Sequence, residues 1–336
     1  SQKWEEERNK QFPGSETFWN LCQSLHQSNW LIASKDPILP IRNQWDFIQL
    51  IKAIRLNNLP FTFFSTLSVG DLLKLSRCDK DKRLKKFLDL QLKLYSQEST
   101  EKTAALYGAT VLHMSQSPLG LFHLDGSMQK LSDNLFASMK RDRGKLLLRH
   151  KVIRLSFQST QNLWQVEVRN QYGIQEIFQS NDVIVTLPPQ CLLDLMGKGS
   201  AIPNGYRRRL QNLSQPTGAI VLYGVIKRNS LKDNSVSHIQ INSEIFGSIF
   251  ISISVEGDGR APLGEAVLIA SVFADIEDWS LLNEEDYQLE KERMLSLIIK
   301  ELDSYFKLTN QDWIHQELST PRSFSKWTGR PKGMVG

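Results

Sequence analysis

The residue types that most often carry out chemistry are scattered along this chain. Its six histidines stand far apart, at His26, His113, His123, His150, His238 and His315. The three cysteines, Cys22, Cys78 and Cys191, form no C-x-x-C pair of the kind that binds zinc or cycles between dithiol and disulfide. Since an isolated histidine is usually structural, we assign no catalytic residue from spacing and predict no metal site.

Short glycine and serine motifs lead to the same conclusion. The chain contains no G-x-x-x-x-G-K-[ST] phosphate loop, no H-E-x-x-H and no G-x-S-x-G. Two G-x-G sequences occur, at 197–199 and 257–259. The third small residue of a dinucleotide-binding motif is missing from both, because Ile202 and Pro262 occupy its place. Three classes fit such a chain: a fragment, a binding module, or an enzyme whose chemistry belongs to a cofactor.

Composition indicates an ordinary globular protein. The chain of 336 residues is long enough for two modest domains with a core. Its residues are 40% hydrophobic and 23% charged. The net charge of +5 suits an anionic membrane surface or nucleic acid, although a merely basic protein is the commoner case. The few cysteines are typical of a reducing compartment, and no apolar run is long enough to span a membrane. We interpret both ends of the sequence as cut from a longer protein.

Helical spacing dominates the first third of the chain. The segment SETFWNLCQSLHQSNWLI carries a capping signature at Ser15 or Thr17, followed by apolar residues at helical intervals. The segment RLKKFLDLQLKLYS is a second amphipathic helix. A third helix is predicted where Met128, Leu131, Leu135 and Met139 share one face, with Gly144 at its end.

Strand patterns follow. The segments LLLRHKVIRLSF, LWQVEVRN and IQEIF predict a meander, and DVIVTLPP predicts a short buried strand of a parallel sheet. The second half predicts long antiparallel strands in TGAIVLYGVI, GSIFISISV, AVLIASVFA and DWIHQEL, with one long helix before the last. The Ile/Ser alternation of GSIFISISV fits either packing on that helix, which is favoured, or the wall of an apolar cavity.

The order of these segments resembles a known family. It rests on KWEEERNKQFPGSETFW, FLDLQLKLYSQ, GLFHLDGSMQKLSDNL, GKLLLRHKVIRL, VIVTLPP, ISVEGDGRAPLG and HQELSTPRSFSKWTGRPKGMVG, taken together and in sequence. The chain resembles the FAD-dependent phytoene desaturase and carotenoid isomerase family of amine-oxidase-like flavoproteins. Within it, the chain is most similar to the cyanobacterial C-3',4' carotenoid desaturase group.

The resemblance implies a mixed α/β (α+β) fold. Part of a Rossmann-like FAD-binding fold is interleaved with a substrate domain of mainly antiparallel sheet plus helices, and the family's N-terminal G-x-G-x-x-G unit is absent from this sequence. We expect a helical, membrane-facing part at 1–115 and an FAD-binding segment at 116–200. The substrate-domain sheet and helix follow at 201–320, and 321–336 return toward the FAD-binding domain.

The resemblance also implies four FAD-contacting residues. Val152 in RHKVIRL matches a family valine whose backbone meets the adenine, and Thr186 in VIVTLPP matches a strand end near the nucleotide. Gly333 and Gly336, with Gly329 before them, match a segment that brings backbone near the isoalloxazine ring or the substrate. From the residues alone, each of these positions also fits an ordinary strand, strand end or turn.

The implied reaction is desaturation of a carotenoid in carotenoid biosynthesis. Two hydrogens leave an allylic C–C unit, one of them as hydride to the flavin, and the protein contributes positioning and desolvation. The resemblance favours a cavity over packing and implies that the apolar faces of 219–225, 249–255 and 267–273 line a substrate tunnel, although one face could serve the helix at 283–306 instead. Two alternatives stay open: a carotenoid cis-trans isomerase on the same scaffold, and a non-enzymatic carotenoid- or lipid-binding protein. Neither a nucleic acid nor a metal is expected as a partner.

A lipid-soluble substrate implies contact with a membrane. We expect a cytoplasmic protein that binds peripherally to a cyanobacterial thylakoid or plasma membrane. The segment LPFTFFSTL, with Phe61, Phe63 and Phe64, is predicted to be a membrane-contacting patch, and core packing of these phenylalanines is an equally good interpretation. The cations expected to support this patch are Lys52, Arg55, Lys74 and Arg77.

Overall fold

The computed structural model describes residues 2–38, 41–53, 63–114, 116, 124, 127–197, 202–213, 216–232 and 237–335. The chain divides into two compact units. The first consists of Ser1–His123 with Gln240–Phe250, and the second of Leu124–Ile239 with Ile251–Gly336. Helices and two antiparallel sheets make up these units, which confirms the predicted mixed α/β class. The four predicted functional segments, 1–115, 116–200, 201–320 and 321–336, stay a prediction.

Six described helices build most of the first unit. They are α1 (Gln2–Gln11), α2 (Glu16–Ala33), α3 (Gln44–Ala53), α4 (Val69–Leu75), α5 (Lys82–Ser96) and α6 (Ala105–Met114). Asp81 caps the N-terminus of α5: its carboxylate accepts the backbone N–H groups of Arg83 and Leu84 at 2.9 Å. Ser15 does stand before α2, but its hydroxyl donates to the Phe12 carbonyl instead of capping the helix.

An apolar core joins these helices. Leu84, Leu88 and Leu92 recur every four residues on α5 and are fully buried, together with Phe18 and Leu25 of α2. The two predicted helices of this region are therefore confirmed, and their apolar stripes face the core.

The hairpin of β5 (His238–Ser243) and β6 (Gly247–Ile253) carries residues of the same unit. The side-chain amide of Gln240 donates to the Leu90 carbonyl of α5 at 2.6 Å, and Gln91 donates to the Gln240 side chain at 2.9 Å. These bonds attach the hairpin to α5.

In the second unit, α7 (Gln129–Arg141) precedes a three-stranded antiparallel sheet of β1 (His150–Gln158), β2 (Leu163–Asn170) and β3 (Gln175–Ser180). Helix α8 (Cys191–Met196) follows and contacts β1. The Gly144 N–H returns to the Met139 carbonyl at 2.8 Å and so closes α7. The predicted helix and meander are confirmed.

The prediction of a buried strand at DVIVTLPP is wrong. This segment forms no strand, and Ile184 is 89% exposed while Val185 and Leu187 are also exposed. A buried parallel strand needs hydrogen-bonded neighbours and a covering layer on each face. Within the described ranges, both sheets are antiparallel and neither extends to this segment.

A five-stranded sheet has the order β5-β6-β7-β4-β8, with β4 (Gly218–Lys227), β7 (Glu265–Ala274) and β8 (Trp313–Ser319). Strand β4 pairs antiparallel with β7 on one side and with β8 on the other. The remaining described helices are α9 (Asn204–Gln211), α10 (Ile276–Ser280), α11 (Glu284–Phe306) and α12 (Pro321–Thr328). The predicted long antiparallel strands and long helix are thus confirmed.

Candidate functional site

Strand β4 has one fully sealed face. Ile220, Leu222 and Ile226 are at most 1% exposed, and their β7 neighbours in register, Val272 and Ala270 among them, are buried as well. The apolar residues at alternate positions of both strands therefore form a core layer, as period-two patterning requires.

Two glycines let other elements approach this sealed face closely. A Cβ added to Gly224 would lie 2.5 Å from the Trp313 ring, and one added to Gly218 would lie 2.8 Å from Ile276 of α10. The Trp313 indole N–H donates to Asp303 of α11 at 2.8 Å. Helices α10 and α11 are thus tied to this side of the sheet.

The opposite face of the same strands is partly open. Its side chains are Ala219, Val221, Tyr223 and Val225 of β4 and Val267, Ile269, Ser271 and Phe273 of β7, paired in register. Tyr223 is 38% exposed, and most of the others are half-buried. We call this set the open face. It offers a mainly apolar surface several residues long.

A polar margin lies beside the open face on β8. Tyr223 is in register with Glu317, and His315 Nε2 lies 3.9 Å from a Glu317 carboxylate oxygen. Burial raises the pKa of the Tyr223 phenol, and the charge of Glu317 raises it further. Tyr223 therefore stays neutral at physiological pH and can donate one hydrogen bond within an otherwise apolar surface.

Strand β6, which carries the Ile/Ser alternation, buries its isoleucines, whereas the open face is accessible. Ile249, Ile251 and Ile253 are 0%, 0% and 3% exposed. These three isoleucines therefore belong to the core. The prediction that the isoleucines of this strand line a substrate tunnel is therefore wrong, because they are sealed in the core. Among the three strands predicted to line it, β4 and β7 carry accessible apolar surface.

Val152 lies on β1, the edge strand of the three-stranded sheet. It pairs with Val168, sits beside an irregularity in register between Val152 and Arg154, and is 36% exposed. One side of an edge strand keeps backbone groups outside the ladder, which suits recognition of a planar ring by backbone atoms. Thr186 is exposed on the irregular segment after β3.

The buried Gly333 has a clear structural requirement for glycine. Its φ is +72°, and an added Cβ would lie 1.8 Å from the carbonyl oxygen of Pro321. The Val335 N–H donates to the Thr217 carbonyl at 2.8 Å, which holds the following residues beside β4. Gly329 ends α12 in the left-handed conformation. Gly336 lies outside the described residues.

Helix α8 lies beside the strand that carries Val152. Burial raises the pKa of Cys191 on α8, the charge of Asp194 raises it further, and the positive charge of Arg330 lowers it. Helix α8 contacts β1, the strand of Val152. FAD contact by Val152, Thr186, Gly333 and Gly336 stays a prediction.

An FAD molecule would fit these positions only in part. The free edge of the strand at Val152 suits contact with the adenine ring through backbone atoms. A pyrophosphate requires backbone N–H groups at a glycine-rich helix start. The described residues near Val152 and Thr186 include no such loop, so we place no phosphate there.

Two features were not predicted from the sequence. The rings of His26 on α2 and His113 on α6 stack with centroids 4.5 Å apart, although no local pattern links them. Helix α3 exposes Trp45, Phe47, Ile48 and Ile51, and only the structure shows which of its faces is buried. In the described part of the chain, no three potential ligands could hold a metal ion, and no helix could cross a bilayer.

Comparison with known proteins gives a partial sequence match and several fold matches. No model of a protein family matches the chain. Prolycopene isomerase of the carrot chloroplast, Daucus carota, is 31% identical over 93 residues, which is 27% of this chain and 15% of that protein. An oxidoreductase from Methanosarcina mazei superposes with a TM-score of 0.53 over 83% of this chain, at 14% identity. This likeness shows the fold. The chain spans about 64% of the length of that oxidoreductase.

Proposed function

We propose that this chain belongs to a flavin-dependent oxidoreductase that acts on a carotenoid. The observation that carries the proposal is the 31% identity to prolycopene isomerase over 93 residues. The fold shared with an oxidoreductase supports it, and so does the open face, whose length and apolar character suit a long polyene.

FAD is the cofactor of the proposal, and when bound it would accept the hydride that the substrate loses. Val152 and Thr186 would contact its nucleotide end, and Gly333 and Gly336 would bring backbone toward its ring or the substrate. The group that binds the pyrophosphate is not among the described residues. The cofactor therefore supplies the chemistry, and this chain supplies part of its surroundings.

The chain's own side chains would position the polyene and exclude water. Val225, Ile269 and Phe273 would pack against the conjugated chain, and contact between apolar surfaces would keep the reacting carbons in a medium of low polarity. The neutral phenol of Tyr223 would donate to an oxygen on an oxygenated end group, or to water at the margin of the surface. No proton transfer by a side chain is required.

Desaturation, the reaction that the family resemblance implies, is the first candidate: an allylic hydrogen would leave as hydride to FAD, a neighbouring one would leave as a proton to water at the margin of the surface, and a new double bond would form. Isomerisation is the second candidate, and the similarity to prolycopene isomerase favours it specifically. It would change the geometry of a double bond without net transfer of electrons. A carotenoid-binding role without redox chemistry is the third.

One experiment separates these possibilities. The protein expressed from its complete reading frame is purified, its flavin content is measured, and it is incubated with a carotenoid in vesicles. A loss of two hydrogens in the mass of the product supports the desaturase, and an unchanged mass with a shifted absorption spectrum supports the isomerase. Carotenoid binding without any flavin would overturn the oxidoreductase proposal.

A further inference from the structure

Helix α3 buries an acidic side chain and exposes its large apolar side chains. Its two buried residues are Asp46 and Ala53, while Phe47, Ile48 and Ile51 are 51%, 47% and 54% exposed. Asp46 and Ala53 are seven residues apart and therefore share one face of the helix. Phe47 and Ile51 are four residues apart and share a different face. The face turned toward the protein therefore carries the acidic side chain, and the face turned to solvent carries the large apolar ones.

Polar contacts at the N-terminus of α3 account for the buried Asp46 carboxylate. The Asp46 carboxylate accepts the Arg42 backbone N–H at 3.1 Å and lies 3.5 Å from the Arg42 guanidinium Nε. The Asp46 backbone N–H in turn donates to the side-chain oxygen of Asn43 at 2.9 Å. These bonds satisfy the buried carboxylate and cap the first turn of α3. The exposure of Phe47 and Ile51 is a separate observation.

The apolar surface continues onto the end of α2, which contacts α3. Six exposed side chains make up what we call the docking patch: Trp30, Leu31, Trp45, Phe47, Ile48 and Ile51. Between 30 and 53 the exposed cations are Lys35, Arg42 and Lys52, and Asp36 is the one exposed acid. The patch is thus rich in aromatic side chains and has a net positive margin.

We propose that the docking patch binds the interfacial region of a lipid bilayer. Tryptophan is favoured at the level of the lipid headgroups, phenylalanine and isoleucine insert below it, and exposed cations attract anionic lipids. A helix of 10 residues is too short to cross a bilayer but long enough to lie in its surface. The patch binds membranes with or without a flavin, so this inference does not depend on the proposed function.

The docking patch differs from the membrane-contacting patch predicted at LPFTFFSTL. Phe63 is 64% exposed and could extend the surface, whereas Phe64 is half-buried against the helical core. Phe61 and Arg55 lie outside the described residues. The structure therefore directs the test to α3 and the end of α2.

Vesicle flotation of the whole chain tests the proposal. Phosphatidylcholine vesicles with and without phosphatidylglycerol are mixed with the wild type and with the double variant Phe47→Ser/Ile51→Ser. We expect the variant to partition at least about tenfold more weakly, because two side chains no longer enter the bilayer. Anionic lipid should strengthen binding of the wild type, and salt should reverse that gain.

A matched control removes two exposed apolar side chains elsewhere. Leu263 and Leu281 are 83% and 81% exposed, so Leu263→Ser/Leu281→Ser should bind vesicles like the wild type. An equal loss in both variants, or unchanged binding of the α3 variant, overturns the proposal.

Quenching of Trp45 fluorescence by brominated lipid gives a second measurement that needs no destabilising change. Subtracting the signal of Trp45→Phe isolates Trp45 from the other seven of the 8 tryptophans. Quenching of Trp45 supports bilayer contact. If Trp45 is not quenched, and Phe47→Ser/Ile51→Ser instead abolishes a dimer seen by sedimentation, the patch is an interface between copies of this chain and the bilayer proposal is overturned.

Discussion

The imidazole rings of His26 and His113 stack face to face, with centroids 4.5 Å apart and planes 26° from parallel. Burial lowers the pKa of His26, and it lowers the pKa of His113 together with the nearby charges of His26 and Arg8. The Nδ1 atom of His26 is buried without a hydrogen-bond partner among the described residues. Both histidines are therefore neutral in the folded first unit at physiological pH.

This pair predicts a loss of stability in mild acid. The folded pKa of each histidine lies below the ordinary value of 6.5, so the unfolded chain binds more protons than the folded one. The two neutral histidines contribute their full stabilisation above pH 6.5. The free energy of unfolding should fall as the pH drops from 6.5 through the lower folded pKa values. Urea unfolding at pH 7.5 and pH 5 measures the loss.

The variant His113→Phe provides the control for the histidine pair. It keeps an aromatic ring against His26 and removes one titrating group, so its stability should vary less between the same two pH values. Arg8 and the buried thiol of Cys22 stay in place in this variant, and neither titrates in that range. A pH dependence equal to that of the wild type would mean that other groups cause the loss.

The core of the first unit predicts a large effect at Leu88. Leu88→Ala removes a fully buried side chain from the middle of the α5 stripe, so it should lower the free energy of unfolding by about 2–5 kcal/mol. Leu75→Ala on α4 is the matched control, since Leu75 is 58% exposed, and it should change stability by less than about 0.5 kcal/mol. Denaturant unfolding measures both.

Alanine variants of two glycines with the same backbone conformation separate the cost of backbone strain from the cost of a steric clash. Gly329→Ala and Gly333→Ala both place a Cβ at a positive φ, +69° and +72°, which costs about 1–2 kcal/mol. Only at Gly333 does the new Cβ also meet the Pro321 backbone, at 1.8 Å. Gly333→Ala should therefore release residues 330–335 to proteolysis and lower the Tm further than Gly329→Ala. Equal effects would contradict the close approach.

The open face predicts a difference between two substitutions of Tyr223. Tyr223→Asp puts a charge among apolar side chains and should weaken carotenoid binding by at least about tenfold, because a bound polyene would have to strip the carboxylate of water. Tyr223→Phe keeps the apolar ring and should bind an end group without oxygen as the wild type does. Titration by carotenoid absorbance gives the affinities, and Tyr172→Asp, at a turn residue 77% exposed, is the control.

Local sequence patterns determined the elements with strong periodicity. The spacing of Leu84, Leu88 and Leu92 predicts α5, and alternation predicts β4 and β7, because one face of each element must be buried whatever its partner is. The turn at Gly173, with φ +81°, was equally readable since glycine tolerates that conformation. The family resemblance added the candidate positions Val152, Thr186, Gly333 and Gly336.

What only the tertiary structure decided depends on neighbours that local patterns do not specify. An apolar run such as Val183–Leu187 reads as a buried strand, but a strand exists only where another strand pairs with it. Sequence patterns assigned no role to the apolar side chains of α3, and the structure exposes Phe47, Ile48 and Ile51. His26 and His113 meet because α2 packs on α6. The sequence by itself therefore determined the strongly periodic helices and strands. Long-range packing decided whether an apolar run pairs as a strand and which faces are accessible.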